Sequence, residues 1–521
     1  MSMFKGFKIV LTGDESLVST YHHTYLGFSS GLPMDVFPSF LGNIIFPTLS
    51  GEHGRMRTSQ YGLCKIEASL IDNGFSRSDV AIVDPRRLDE AIGPETRVLG
   101  IGVLDPLGIN YGTALLRVVL SLMGVETRLQ SYMSWATMKI FNSDAVKKYR
   151  NRIKVIVGGQ GVWEIIDSGL QHRLGIDCIV EGEGELVAPK IFRVALEGGE
   201  IPGYVKGPPV PVDKIPVIKT PSRGLVEVTR GCGRGCLFCN PTLLMFRSIP
   251  MDKILKEIAV NIEGGERNIT LHSEDFLRYG STSLLPNEDK VLNLLNTITK
   301  IPEIDSISID FVTASTALSN PKLVKTVGGM LGLSDRNPAI IQMGIESGSP
   351  RIIKIIAPGK PKPFNYEEWP KIVEEAVNLL NDSGWWICAT IIVNLPQETE
   401  EDIEMNMRLV ERLEHYNVFV FPLPFIPSGS LRKARDMAGT HKIVSTRNLE
   451  LIALAVYDAI KKIKSLSKHL VAKAPFGVRQ VLGALLYVAS VIGLRRLQRN
   501  SLDAIIDHFK ALKEDRYRIS I

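Results

Sequence analysis

The sequence predicts an α/β protein in three parts: a Rossmann-like open parallel sheet, a partial (β/α)6 barrel of the TIM type, and a C-terminal helical region. Three observations predict it. Short β-branched runs alternate with helical patterns along most of the chain, as in parallel sheets whose strands are joined by helices. Six prolines, Pro202, Pro208, Pro209, Pro211, Pro216 and Pro221, break that rhythm and read as a stiff connector. From about residue 431 the pattern turns helical and basic.

Taken in order, residues 1–200 carry strand-like runs at Lys8–Leu11, Val80–Val83, Val98–Val103 and Lys154–Val157. Residues 21–50 interrupt them with glycine, proline and aromatics in no clear period and read as an inserted loop. Residues 201–222 are the proline-rich linker. Residues 223–430 contain apolar segments at Leu225–Val228, Asn268–His272, Ser306–Val312, Ala339–Ile345, Ile387–Val393 and Val418–Phe421, separated by helical stretches. Six such units predict an incomplete parallel barrel with its reactive groups at the carboxyl ends of the strands. Within 431–521 the longest apolar run is Val481–Leu494, bracketed by Arg479 and by Arg495 and Arg496. The run is shorter than the roughly 20 residues a bilayer crossing needs, so it is expected as a core helix, with a helix in the membrane interface as the other reading.

At 521 residues and 45% hydrophobic content the chain can bury two or three cores. Its 61 basic and 56 acidic residues leave a charge of +5, too weak a bias to point to nucleic acid. No signal peptide is evident in the first 30 residues. The six cysteines do not form a secreted disulfide framework, which favours a reducing cytosol.

Three of those cysteines sit in Val228-Thr-Arg-Gly-Cys232-Gly-Arg-Gly-Cys236-Leu-Phe-Cys239-Asn-Pro, just after the first barrel strand. Soft thiolates select zinc or iron-sulfur centres, and a closed structural zinc site takes four ligands. Three thiolates on one glycine-rich loop can hold three irons of a four-iron cubane and leave the fourth open. Gly231, Gly233 and Gly235 let the backbone wrap a bulky centre, and Phe238 can shield it from water. The alternatives are zinc completed by a histidine such as His272, or three reduced thiols with no metal. Cys64, Cys178 and Cys388 are expected to fill small apolar sites, and His22, His23, His53 and His172 to be ordinary loop or surface histidines.

The CxxxCxxC spacing with its aromatic neighbour resembles the radical S-adenosylmethionine (SAM) superfamily. The resemblance implies a [4Fe-4S] cluster whose open iron chelates the methionine moiety of SAM. An electron from the reduced cluster then cleaves the sulfonium to a 5'-deoxyadenosyl radical. It also implies an electron donor such as a ferredoxin or flavodoxin. The family's Gly-Gly-Glu, which holds the methionine ammonium, would fall at His272-Ser273-Glu274-Asp275, where the glycines are missing. Glu274 and Asp275 are the candidates for that contact, with helix capping as the bland reading. The literal Gly264-Gly265-Glu266 precedes the strand and reads as a helix stop.

Gly344-Ile345-Glu346-Ser347-Gly348-Ser349 resembles a segment of radical enzymes that bear a cobalamin-binding domain, making Glu346 a SAM-binding candidate; a lysine partner inside the barrel is its structural alternative. Asn394-Leu395-Pro396-Gln397-Glu398-Thr399 resembles the family's Gly-Leu-Pro-Gly-Glu-Thr with two glycines replaced, and Thr399 with Asp402 predicts a helix cap. In the first domain, Gly158-Gly159-Gln160-Gly161 and Glu181-Gly182-Glu183-Gly184-Glu185 resemble a cobalamin-binding domain, with Gly158 and Gly159 as backbone contacts for a nucleotide-like tail. The cobalt-ligating Asp-x-His loop is absent; Asp105-Pro106-Leu107-Gly108 stands there, so the resemblance leaves cobalamin open.

Phe421-Pro-Leu-Pro-Phe425-Ile426-Pro427-Ser428-Gly429 forms an apolar rim suited to a hydrocarbon-rich substrate. With Gly158–Trp163 and His272–Asp275, it most resembles the archaeal enzymes that form cyclopentane rings in tetraether membrane lipids. This implies hydrogen abstraction from saturated carbon, peripheral contact with the inner membrane face, and no nucleic-acid partner. A cobalamin-dependent radical methyltransferase, and a non-catalytic metal- or lipid-binding protein, are the alternatives.

Overall fold

The computed structural model describes residues 4–24, 26–427, 431, 445–471 and 474–499. Ser428, Gly429 and the end of the C-terminal tail lie outside the described residues.

The first domain is one open, all-parallel sheet built from β1 (Ile9–Gly13), β2 (Val80–Ile82), β3 (Val98–Gly102), β4 (Lys154–Gly158), β5 (Cys178–Gly182) and β6 (Tyr204–Gly207). Its spatial order is β2-β1-β3-β4-β5-β6, so the strand order reverses between β1 and β3, where open α/β sheets leave their crevice. Both faces are covered, one by a core around Val10, Leu99 and Val155, the other by a core around Leu11, Leu63 and Phe192. Continuous β-branched runs follow from that double burial. The proline-rich stretch differs from expectation, because its first part supplies β6, paired in parallel with β5. Prolines flank this strand without entering it, so its N–H groups remain free to pair.

A two-stranded antiparallel ribbon of β8 (Thr229–Arg230) and β9 (Arg247–Ser248) brackets the cysteine loop. The second domain contains the six expected parallel strands: β7 (Leu225–Glu227), β10 (Asn268–His272), β11 (Ser306–Ile309), β12 (Ala339–Glu346), β13 (Trp385–Val393) and β14 (Val418–Pro424). They form two three-stranded sheets, β7-β10-β11 and β12-β13-β14, linked by a parallel bridge between Phe311 and Gln342. Val226, Ile269, Leu271, Ile309, Met343 and Ala389 point outward into a core shared with the flanking helices, including Leu294, Leu323 and Trp369. Alternation along the strands turns Glu227, His272, Asp310, Gln342 and Cys388 to the inner face. The inner face is therefore charged along β7, β10 and β11 and apolar along β13 and β14.

The helix Thr446–Leu470 lies along β14, with Leu451 and Ile452 in the outer core and Ile463 and Leu466 against Trp386, Phe419 and Phe421. The next helix, Phe476–Arg499, corrects the expectation of a core helix for Val481–Leu494. Val481, Leu485, Val488 and Ile492 are exposed, each at about half of full accessibility. A 22-residue stretch of it, Phe476–Leu497, is long and apolar enough to cross a membrane by length and composition. Periodicity cannot separate a buried from an unpartnered apolar helix, since both show the same residues. Cys64 and Cys178 are buried in the first domain as expected, and Cys388 is half-buried.

Candidate active site

The cysteine loop leaves the barrel at the carboxyl end of β7, where parallel barrels place their chemistry. Gly231, Gly233 and Gly235 all adopt left-handed backbone, with φ of 75°, 68° and 72°. A side chain at Gly231 would strike the backbone of Met245 on the returning strand. Alternating left-handed glycines curl the chain so that Cys232, Cys236 and Cys239 end around one space.

That space is apolar on one side. Cys236 and Cys239 pack with Phe238, Ile352, Ile356, Ile392, Leu395 and Phe425. Burial pushes the Cys236 thiol up to about 11, against the pull of Lys360. Burial, with Cys232 and Cys236 alongside, pushes Cys239 up to about 12. Three close, largely buried thiols resist ionisation by themselves, and a positively charged metal centre is what reverses this. Among the described residues no three His, Cys, Asp or Glu side chains are grouped to hold one metal ion. A cubane takes each thiolate on a separate iron and needs no such convergence. His272, the alternative zinc ligand, is instead ion-paired through Nδ1 with Asp310. Burial opposes its charge, but Asp310 outweighs this and lifts the imidazole to about 9.

Arg234 fastens the loop. Its Nη1 donates to the carbonyls of Gly359, Lys360 and Lys362 at 3.0, 3.1 and 2.9 Å, and its Nη2 to Thr316 Oγ1 at 2.6 Å and Asp275 at 3.4 Å. Arg278 donates to the carbonyl of Cys232 and lies over the Phe246 ring.

The candidate SAM-binding carboxylates separate into three different situations. Asp275 is fully buried and accepts from Thr313 Oγ1 at 2.9 Å and Thr316 Oγ1 at 2.7 Å as well as from Arg234. These bonds turn its Oδ2 toward Thr313, Thr316 and the cysteine loop. Glu274 is pushed up to about 7 by burial, against the pull of His272, and its Oε2 is buried without a hydrogen-bond partner. Such an orphaned oxygen at a strand's carboxyl end fits an incoming cation. Glu346 forms an ion pair with Lys360, the structural alternative left open by the sequence. It stands at a β-bulge with φ of 67°.

Lys360 and Arg234 were not singled out from the sequence. Lys360 sits in a Gly-Lys-Pro-Lys-Pro segment that reads as a loop, and only the fold carries it to the cysteines. Asn394 and Gln397, which replace the family's glycines, both keep left-handed backbone with φ of 63° and 66°. The turn geometry thus survives the substitutions, at a cost in strain. Thr399 and Asp402 form the expected reciprocal cap, and Gly264 and Gly265 end the helix Met251–Glu263.

The first domain presents its sheet's carboxyl edge to this site. Tyr111, at the start of the helix Tyr111–Leu122, is half-exposed there. The Gly158–Gly161 turn lies at that edge. A side chain at Gly159 would meet the backbone of Val103, and one at Gly161 that of Leu104, so these glycines admit a neighbouring loop. Gly158 is open, with nothing nearer than Val180 O at 3.7 Å from an added Cβ. Asp105, in place of the cobalt-ligand loop, accepts from Ile109 N at 2.9 Å and Asn110 N at 3.0 Å. Glu164 beside it is lifted to about 10 by burial and by Asp105. Glu183 and Glu185 are spent on Arg230 and Arg247 of the β8/β9 ribbon and clamp the two domains together.

Residues 226–410 match the family described as the Radical SAM superfamily. A Methanocaldococcus jannaschii protein provisionally named a methylthiotransferase is 26% identical over 364 residues, covering 63% of this chain and 74% of that protein. The tRNA-2-methylthio-N(6)-dimethylallyladenosine synthase of Helicobacter pylori is 26% identical over 223 residues, 41% of this chain and 48% of the relative. The chain thus spans about half the length of that tRNA-modifying relative. Among solved structures, the radical SAM methyltransferase TsrM of Kitasatospora setae, with tryptophan and a SAM analogue bound, superposes with a TM-score of 0.54 at 14% identity, covering 81% of this chain and 75% of TsrM. TsrM with cobalamin and a [4Fe-4S] cluster bound gives 0.51 at 13% identity, covering 82% and 77%. At these identities the likeness shows the fold, an open sheet followed by a partial barrel. Radical SAM chemistry uses a [4Fe-4S] cluster, SAM and an electron donor, and the three thiols fit the cluster in number, spacing and chemistry. The chain is an enzyme with a radical SAM domain at residues 226–410.

Proposed function

We propose that this enzyme abstracts hydrogen from a saturated carbon of a membrane lipid and closes a carbon–carbon bond, as in cyclopentane formation in tetraether lipid. The observation that carries the reading is the apolar half of the site. Phe238, Ile392, Leu395 and Phe425 flank the cysteines. These side chains offer a hydrocarbon chain contact and few competing hydrogen bonds. The exposed apolar helix Phe476–Leu497, with Arg479, Arg495 and Arg496, suits a position at the inner membrane face, from which an alkyl chain can enter. In this scheme Cys232, Cys236 and Cys239 hold the cluster, which supplies the electron that opens SAM. Phe238 keeps water from it. Glu274 accepts the methionine ammonium.

The decisive test is anaerobic incubation of reduced protein with SAM and tetraether or other long-chain lipid, followed by mass spectrometry. Each ring closed removes two hydrogens from the lipid, one taken by each of two 5'-deoxyadenosyl radicals, so two SAM and two electrons are consumed per ring. 5'-Deoxyadenosine formation that is independent of lipid, with unchanged lipid mass, would rule the proposal out.

A second reading, cobalamin-dependent methyl transfer, is favoured by the two-domain likeness to TsrM. It predicts corrinoid absorption in the purified protein and a product heavier by one methyl group.

The role of Glu274 gives a separate expectation. An ionised carboxylate holds an ammonium, so SAM affinity should weaken as pH falls through about 7, the Glu274 value. Glu274→Gln should weaken SAM binding by about tenfold, in line with about 1.5 kcal/mol for a charge-assisted hydrogen bond. It should also flatten the pH dependence, which equilibrium binding measurements would show.

A further inference from the structure

Lys360 is a buried cation whose backbone carbonyl accepts from Arg234 of the cysteine loop at 3.1 Å, which brings its charge near Cys232 and Cys236. Its ammonium has a single ion-pair partner, Glu346. Three independent features of the chain make room for that pair. Gly344 has no side chain where a Cβ would collide with both Glu346 Oε1 and Lys360 Nζ. The strand bulges between Gly344 and Glu346, and Glu346 takes a left-handed φ of 67° that ordinary residues avoid. Gly359 lets the lysine segment press against Arg234 of the cysteine loop, which in turn bonds the carbonyls of Gly359 and Lys360. Strain and close packing are thus concentrated on holding one charge pair next to the thiolates.

Charge placed in a dry site acts strongly on its neighbours. Adding an electron to a cluster increases its negative charge, so a fixed cation nearby favours the reduced form and a fixed anion disfavours it. We infer that Lys360 and Glu346 form a built-in charge couple that sets the reduction potential of the cluster: Lys360 raises it, and Glu346 restrains Lys360 and lowers it. Lys360 is accordingly a positioning residue for charge at the cluster. The inference rests on the cluster assignment made above.

The test is a redox titration of anaerobically reconstituted full-length protein, followed by electron paramagnetic resonance of the reduced cluster, without substrate. Lys360→Met should lower the reduced-to-oxidised ratio at a fixed potential by about tenfold, equivalent to about 59 mV for a one-electron couple. Glu346→Gln should shift it the other way. Lys360→Arg, which keeps the charge, should stay near wild type. A merely structural pair would give shifts of the same sign, or equal cluster loss, in Lys360→Met and Glu346→Gln, and that result would overturn the inference. Unchanged potentials in both variants with full iron content would overturn it as well. Wild-type protein that binds no iron would instead defeat the cluster assignment itself, so the two failures are distinguishable.

Discussion

Replacing Cys232, Cys236 or Cys239 by alanine is expected to strip the iron and abolish SAM cleavage. Each thiolate supplies one metal bond; of the neighbouring side chains, Asp275 and Glu346 are committed to Arg234 and Lys360, and His272 to Asp310. The loss should exceed the roughly 10- to 100-fold that outer-shell partners of a metal site cost. Iron and sulfide content, the visible absorption of anaerobically purified protein and 5'-deoxyadenosine formation check it. The fold should survive, because Cys232 and Cys239 are only partly buried and the loop remains fastened through Arg234. Retained iron with unchanged turnover in all three variants would contradict the assignment.

The second large effect lies at the domain junction. Glu183 is buried and accepts from Arg247 Nη1 at 2.9 Å, Arg230 Nη1 at 2.8 Å and Val210 N at 2.9 Å. Glu183→Ala leaves buried Arg247 without a carboxylate, while Arg230 keeps Glu227 and Glu185, and should destabilise the protein by about 3–5 kcal/mol, the typical result of breaking a buried pair from one side. Replacing Glu183 and Arg247 together by apolar residues of similar size should recover much of the loss, because the main penalty is the orphaned charge. Denaturant unfolding of the anaerobic protein measures both. The two arginines outweigh burial and hold Glu183 below the usual carboxylate range. Its contribution is therefore complete above the ordinary glutamate value of about 4.3 and is lost as pH falls through the lower folded-state value. A variant as stable as wild type would mean that the clamp contributes nothing.

Features governed by short-range rules were legible in the chain. The cysteine loop, six barrel strands, the Thr399–Asp402 cap and the helix stop at Gly264 each depend on residues a few positions apart. The glycine turns of the first domain show the limit of that logic. A glycine announces a close approach but not what approaches, and at Gly159 and Gly161 it is the neighbouring β3 loop. The acidic Glu181–Glu185 segment looked like a ligand turn, yet Glu183 and Glu185 meet arginines 45 to 64 residues away. Asp275 and Glu274 are adjacent and chemically alike, but one is enclosed by Thr313, Thr316 and Arg234 while the other keeps an unpaired oxygen.

By itself the sequence determined three cysteines on a loop with glycine-permitted curvature after a strand. Spacing and backbone freedom are local properties that the chain carries everywhere it goes. Tertiary structure alone decided which carboxylate stays free, which lysine stands beside the cysteines and whether the last apolar helix is covered. Burial and charge pairing depend on distant segments meeting, and no window of sequence contains that information.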